Sequence, residues 1–272
     1  MNTEVSSSGV RIGLRVEGAA NPRAIVFVHG WAQSSRAWAP QLAEPALADR
    51  FRLVAMDLRG HGTSDVPAEG YDDPRNWAED LATVLDFAGG DAVVVGWSYG
   101  GLVIADYLRT HGTARMCGIV LVGAITEIGR GRPGGRIGPV MRTALPAALS
   151  DDPQAAVPAL VEFNRGMAAK PMPGALAQAL LGASLSVPPA VRSALFRRDV
   201  DNADVLATVD VPTLVVHGTA DLVVDRRAGE YAVRKIPGAH GRWLEGVGHL
   251  PFVEAVPEFN TVLRQFAGEA TA

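Results

Sequence analysis

A serine at position 98 lies within the stretch VVVGWSYGG (residues 93–101), with Gly96 and Gly100 two residues to either side. A serine hydroxyl is a weak nucleophile at neutral pH. It attacks carbonyl carbon efficiently only when a base takes its proton and a carboxylate orients that base. The setting of Ser98 suits this use. Ahead of it, Ala92-Val93-Val94-Val95 is a short, β-branched, uninterrupted run that reads as a buried strand, and behind it residues 102–108 (LVIADYL) read as a helix. A strand that reverses into a helix within so few residues forces the middle residue into a strained backbone, and its neighbours must be small. The hydroxyl then stands at the C-terminal edge of a sheet, beside the unpaired N–H groups of a helix N-terminus. In a chain with 30 glycines the spacing alone is a weak signal, and its placement between strand and helix gives it weight.

The base must be one of six histidines. His29 and His217 close strands in the motif VHG, where histidine commonly packs a turn. His61 sits in DLRGHG and is expected to bond locally. His111 precedes Gly112 at a helix end, and His240 lies in a short polar linker. His249, in EGVGHLPFVE, follows the last expected strand (RWLEGV) and precedes the C-terminal helix, so its loop falls at the same sheet edge as Ser98. The orienting carboxylate should come between them in sequence. Asp221, in LVVHGTADLVV, directly follows a strong strand; Asp225 is a rival that would serve well as a helix N-cap, and an acid after an earlier strand is a further alternative. Negative charge developing on a carbonyl oxygen calls for two backbone N–H donors. Tyr99, after the serine, and Trp31, in the loop after AIVFVHG, are the expected sources. Trp31, Trp97 and Leu250 are expected to line the substrate pocket.

These residues need a scaffold, and the rest of the chain describes one. Short apolar runs (AIVFVHG, FRLVAMDLRG, DAVVVGWS, CGIVLVGA, PTLVVHGTAD) alternate with amphipathic ones (SRAWAPQLAEPALAD, PRNWAEDLATVLDFAG, GGLVIADYLRTHG, PEFNTVLRQFAG). Strand-then-helix repetition predicts an α/β fold with a mainly parallel central sheet flanked by helices. The opening GVRIGLRVEG alternates as an edge or antiparallel strand does. The rhythm breaks over residues 126–207, where short helical stretches are punctuated by Pro146, Pro153, Pro158, Pro171, Pro173, Pro188 and Pro189. A helical cap over 126–207, inserted into a core of 1–125 and 208–272, is the expectation. With 272 residues, 48% hydrophobic, the chain can bury a sizeable core, and a net charge of −4 gives no reason to expect a nucleic acid or membrane partner. The single cysteine, Cys117, has no internal partner and reads as a small core residue. The N-terminal stretch lacks an apolar signal core, and no run approaches a membrane span in length, so a cytoplasmic protein is expected. Nothing in the sequence calls for a metal or other cofactor.

Taken together, VHGW, DLRGHGTSD, GWSYGG, HGTAD and GVGHLPFVE resemble the α/β-hydrolase family in type and order, nearly end to end across the core. The resemblance implies Ser98 as nucleophile, His249 as base, Asp221 as acid, and the N–H groups of Trp31 and Tyr99 as oxyanion donors. HGW paired with GWSxGG is similar to small carboxylesterases, including the pimeloyl-carrier methyl esterases. Non-haem haloperoxidases (perhydrolases) are similar in layout, but typically carry methionine where this chain has Tyr99. The expected activity is hydrolysis of a small or medium ester, lactone or thioester through an acyl-enzyme. The alternatives are haloperoxidase or perhydrolase chemistry, lyase chemistry on the same residues, or a receptor that keeps the pocket without turnover.

Overall fold

The computed structural model describes residues 1–18 and 23–271. Its frame is one eight-stranded sheet of β1 (Asn2–Ser7), β2 (Val10–Glu17), β3 (Ala24–Val28), β4 (Arg52–Met56), β5 (Ala92–Trp97), β6 (Met116–Val122), β7 (Thr213–Gly218) and β8 (His240–Leu244), in the order β1-β2-β4-β3-β5-β6-β7-β8. β1 and β2 form a hairpin turning at Ser8 and Gly9, and β2 runs antiparallel to β4. All remaining neighbours are parallel. Every residue of β3 and β5 is buried, as expected of unbroken apolar strands covered on both faces.

The crossover helices carry their own start and stop signals. In Pro74–Ala88 the Asp73 side chain accepts from the Arg75 N–H, proline opens the first turn, and Gly89 ends the helix at φ 104°. Three expectations are corrected. The stretch 35–49 is not one helix: Pro40 and Pro45 divide it into a 3-10 turn (Ser35–Trp38) and two four-residue helices (Ala39–Leu42, Pro45–Ala48). His240 is no linker residue but the exposed first residue of β8. Cys117 is only partly buried, at the start of β6, with its thiol against the Asp91 carbonyl.

Between β6 and β7 the chain builds the helices Pro139–Ala148, Pro153–Gly166, Gly174–Ser186, Pro189–Leu195 and Ala203–Leu206. Several of the prolines that interrupt the sequence pattern open these helices, where the missing N–H costs nothing. Two isolated bridges, Ile128 with Val200 and Ile137 with Val224, fasten this segment at its root. No single helix among the described residues is long and apolar enough to cross a membrane; the apolar pair Gly174–Ser186 and Pro189–Leu195 is bent by 88° at its break.

The strand order positions the site. From β3 the chain winds one way to β4, then returns to β5 and continues the other way through β6, β7 and β8. The loops after β3 and β5 therefore part in opposite directions, and a crevice opens above the C-terminal ends of these two neighbours.

Candidate active site

Ser98 sits in that crevice, directly after β5, as the N-cap of the helix Tyr99–His111, with φ 55° and ψ −117°. Such a backbone is costly for a non-glycine residue and persists only when its surroundings enforce it. Three backbone hydrogen bonds do so. Ser98 N–H donates to the Val122 carbonyl (3.0 Å), and the Ser98 carbonyl accepts from the N–H groups of Gly101 and Ile125 (3.1 Å each). The helix also lies so close to β3 that a Cβ on Gly100 would overlap the Val28 carbonyl oxygen. This answers why a serine stands between glycines here.

The loop after β3 passes against the serine: a Cβ on Gly30 would lie 2.9 Å from Ser98 Cβ. Trp31 follows, with its indole N–H donating to the Arg192 carbonyl (3.1 Å) and its ring edge-on to Phe163 and Phe196. Tyr99 is the first residue of its helix, so its N–H has no acceptor within the helix.

Asp221 lies just beyond β7, and His249 just beyond β8. His249 Nδ1 is 2.8 Å from Asp221 Oδ2. Burial alone would raise the Asp221 carboxyl; attraction to His249 and the hydrogen bonds of His217 and His249 outweigh it and hold the group well below the usual carboxylate range. Gly123, at φ 47°, comes so near that a Cβ there would lie 3.2 Å from both Asp221 Oδ2 and His249 Nδ1. The His249 loop is braced from several sides. Its N–H donates to the Met167 carbonyl (2.7 Å), and its carbonyl accepts from the Trp97 indole N–H (2.9 Å). The Glu254 carboxylate gathers the N–H groups of Gly248, Leu250 and Ala169.

The structure thus brings Asp221 and His249 into contact and sets Gly30, the residue before Trp31, against Ser98. Trp97 and Leu250, expected in the pocket wall, are buried, Trp97 between the rings of His249 and Phe252. Asp225 caps the helix Arg226–Lys235 and pairs with Arg227, apart from His249. His29 and His61 bond to nearby backbone, and burial holds both rings neutral, pushing His61 down to about 3. His111 meets Glu79. Among the described residues no group of His, Cys, Asp and Glu side chains is placed to hold a metal ion.

Sequence reasoning missed four contributors. His217 touches Asp221; as the histidine of a strand-ending VHG it reads in sequence like a turn-packing residue. Gln33 and Ser184 join the Trp31 loop to the helix Gly174–Ser186, with Gln33 Nε2 donating to Ser184 Oγ (2.9 Å) and Ser184 Oγ to the Ala32 carbonyl (3.0 Å). Arg198 reaches from the segment before β7 to Asp106 Oδ1 (2.6 Å) and the Tyr99 hydroxyl (3.0 Å). The last three depend on distant partners and leave no local pattern.

Ser98 is only 7% exposed and His249 1%. Nearby, an apolar groove of about 800 Å³ runs between the helices Pro139–Ala148 and Pro153–Gly166, walled by Val140, Ala144, Ala159, Phe163 and, from the turn beside Asp221, Leu222.

The chain is similar to known proteins over nearly its whole length. An esterase from Rhodococcus sp. ECU1013 superposes with a TM-score of 0.91 at 48% identity, over 98% of each chain. A non-heme haloperoxidase of Rhodococcus erythropolis is 30% identical over 90% of this chain and 91% of its own. A pimeloyl-[acyl-carrier protein] methyl ester esterase of Vibrio campbellii (strain ATCC BAA-1116) is 29% identical over 89% of this chain and 94% of its own. With the profile of the alpha/beta hydrolase family matching residues 25–262 as well, the chain belongs to that family.

Proposed function

We propose that this hydrolase cleaves small to medium carboxylic esters through an acyl-enzyme on Ser98. The observation that carries the reading is the 2.8 Å contact of His249 Nδ1 with Asp221 Oδ2, at the sheet edge where Ser98 is held as a strained N-cap. Asp221 fixes the imidazole with its hydrogen on Nδ1, which leaves Nε2 free to take the Ser98 proton. Attack forms a tetrahedral intermediate whose oxyanion is met by the N–H groups of Trp31 and Tyr99. His249 returns the proton to the departing alcohol. Water, deprotonated by the same ring, then releases the acid and frees Ser98. Esterase relatives support ester hydrolysis as the reaction class.

Residues 126–207 act in this reading as a cap that excludes water and sets acyl and alcohol preference. Two features support it. Trp31 of the oxyanion loop packs on Phe163 and Phe196 from this segment, and the His249 N–H is bonded to the Met167 carbonyl. The apolar groove beside Phe163 and Leu222 offers room for an alkyl chain.

The test is Ser98→Ala together with fluorophosphonate labelling. Hydrolysis of p-nitrophenyl esters should fall by about 10⁴-fold or more with the fold intact, and mass spectrometry of the labelled wild type should place the adduct on the peptide holding Ser98. Near-normal turnover by the variant would sink the mechanism. Because one relative is named a haloperoxidase, the assay should include hydrogen peroxide as a second acyl acceptor, with peracid formation as the readout.

A further inference from the structure

His217 is completely buried in β7, four residues before Asp221. Its Nε2 lies 3.1 Å from Asp221 Oδ2 and 3.1 Å from the Val224 carbonyl oxygen. Both neighbours are acceptors, so Nε2 carries a hydrogen. Nδ1 is buried with no hydrogen-bond partner, facing Gly229, where a Cβ would come within 2.8 Å of it. A second hydrogen on Nδ1 would have no acceptor, so the neutral Nε2–H tautomer fits the site.

The acceptor accounting of Asp221 gives this contact its meaning. Oδ1 accepts from the N–H groups of Val223 (2.8 Å) and Val224 (3.0 Å). Oδ2 faces His249 Nδ1 at 2.8 Å and His217 Nε2 at 3.1 Å. A carboxylate offers about four acceptor positions, and here all of them are filled by N–H groups. Three of the donors come from backbone or from the proposed base. His217 is the remaining one, a side chain whose one N–H is shared between the acid and the Val224 carbonyl.

We infer that His217 is a positioning residue of the proposed triad, whose Nε2–H fixes the plane of the Asp221 carboxylate and draws charge from the oxygen that orients His249. The inference rests on the triad reading given above. Its direction follows from electrostatics. A donor on Oδ2 weakens the hold of Asp221 on an imidazolium at His249. Without that donor the carboxylate favours the imidazolium of His249 more strongly, and the acid limb of the kcat/KM profile moves to higher pH. The titratable groups facing His249 and Asp221 are each other and His217; Glu254, in the adjoining helix, is occupied by the three backbone N–H groups of the His249 loop.

The experiment compares His217→Phe, which keeps a ring and loses the donor, with His217→Gln, whose amide nitrogen reaches the Nε2 position. His217→Phe should lose about tenfold to a hundredfold in kcat, the range expected for one hydrogen bond to a buried charge. KM should change little, and the acid limb should shift upward. His217→Gln should recover most of both. Proton NMR adds a readout that needs no turnover: the far-downfield signal of the proton between His249 and Asp221 should move in His217→Phe and return in His217→Gln. Wild-type kinetics, pH profile and downfield signal in His217→Phe would overturn the inference. So would a folded His217→Gln as impaired as His217→Phe, because shape rather than donation would then be the cause. Should the phenylalanine variant fail to fold, His217→Asn replaces it, since its amide stops at the Nδ1 position; equal activity of the Asn and Gln variants would overturn the proposal. Failure of the triad reading looks different: unlabelled Ser98 and an active Asp221→Asn, with the NMR comparison still reading the contact itself.

Discussion

At the scale of single residues, the two aspartates after β7 separate by their partners. Asp221 is buried and faces two imidazoles; Asp225 caps a helix and pairs with Arg227 at the surface. Asp221→Asn should keep the fold and lower turnover by about 10⁴-fold, because the imidazole would no longer be held in the required tautomer. Asp225→Asn should change turnover by less than about tenfold, because asparagine caps a helix as well as aspartate does. Steady-state kinetics on both variants decides, and the reverse order would refute the assignment. The same carboxylate leaves a mark on stability. Its native pKa is depressed, so its contribution is complete above about pH 5, begins to fall as an unfolded aspartate takes up a proton near pH 4, and goes on falling until the native carboxyl is itself protonated at still lower pH. The gap in melting temperature between wild type and Asp221→Asn should therefore narrow between pH 6 and pH 3. The candidates Ser98 and Asp221 were legible in the sequence because each closely follows an apolar strand, and His249 because its loop joins the last strand to the C-terminal helices; parallel strands deliver such loops to one edge. His217 was not, because a histidine that ends a strand looks alike whether it packs a turn or bonds a carboxylate.

At the scale of elements, the helix after Ser98 is bound to the segment before β7 by a charge pair with almost no solvent. Arg198 and Asp106 have side chains 0% and 1% exposed. Burial pushes the Asp106 carboxyl up to about 6 even with the guanidinium beside it, and Asp106 Oδ2 has no partner. Such a pair adds little net stability, yet losing one partner strands the other. Arg198→Met should destabilise by about 3–5 kcal/mol, while Arg198→Met combined with Asp106→Leu should recover most of the loss. Urea unfolding of the two variants measures this; an Arg198→Met protein as stable as wild type would refute it. The single variant also frees the Tyr99 hydroxyl from Arg198. The core strands were legible as apolar runs and the core helices Pro74–Ala88 and Tyr99–His111 as amphipathic segments, whereas Pro153–Gly166 and Gly174–Ser186 were read only as short stretches. The Arg198 contact was not, because its partners lie more than 90 residues away in the chain.

At the scale of the molecule, the proposed function assigns chemistry and selectivity to different parts of the chain. The proposed triad belongs to loops at the sheet edge, while the aromatic contacts over Trp31 come from Phe163 and Phe196. Phe196→Ala and Phe163→Leu should shift relative kcat/KM across an acetate-to-octanoate ester series by about 10- to 200-fold between neighbouring chain lengths. Labelling of Ser98 by a small fluorophosphonate should continue in both. Unchanged preference in both would mean that the pocket is built by other loops. The Ile128–Val200 bridge carries this division further. It joins the chain to itself across residues 129–199, by hydrogen bonds of 3.2 and 2.7 Å, before β7 begins. Once that clasp is closed, the length between its ends matters little, since doubling a loop costs only about 0.6 kcal/mol. The piece could be exchanged for another version only if the replacement restores what it gives the core, including the Met167 carbonyl on the His249 N–H and Ser184 on the Trp31 loop. Arg198 sets a further condition of the exchange. It lies inside the clasp, so a transplanted piece must bring its own cation to Asp106 or arrive with that carboxylate already replaced by an apolar residue. A chimera built to this rule should take its chain-length preference from the donor and keep the reactivity of Ser98.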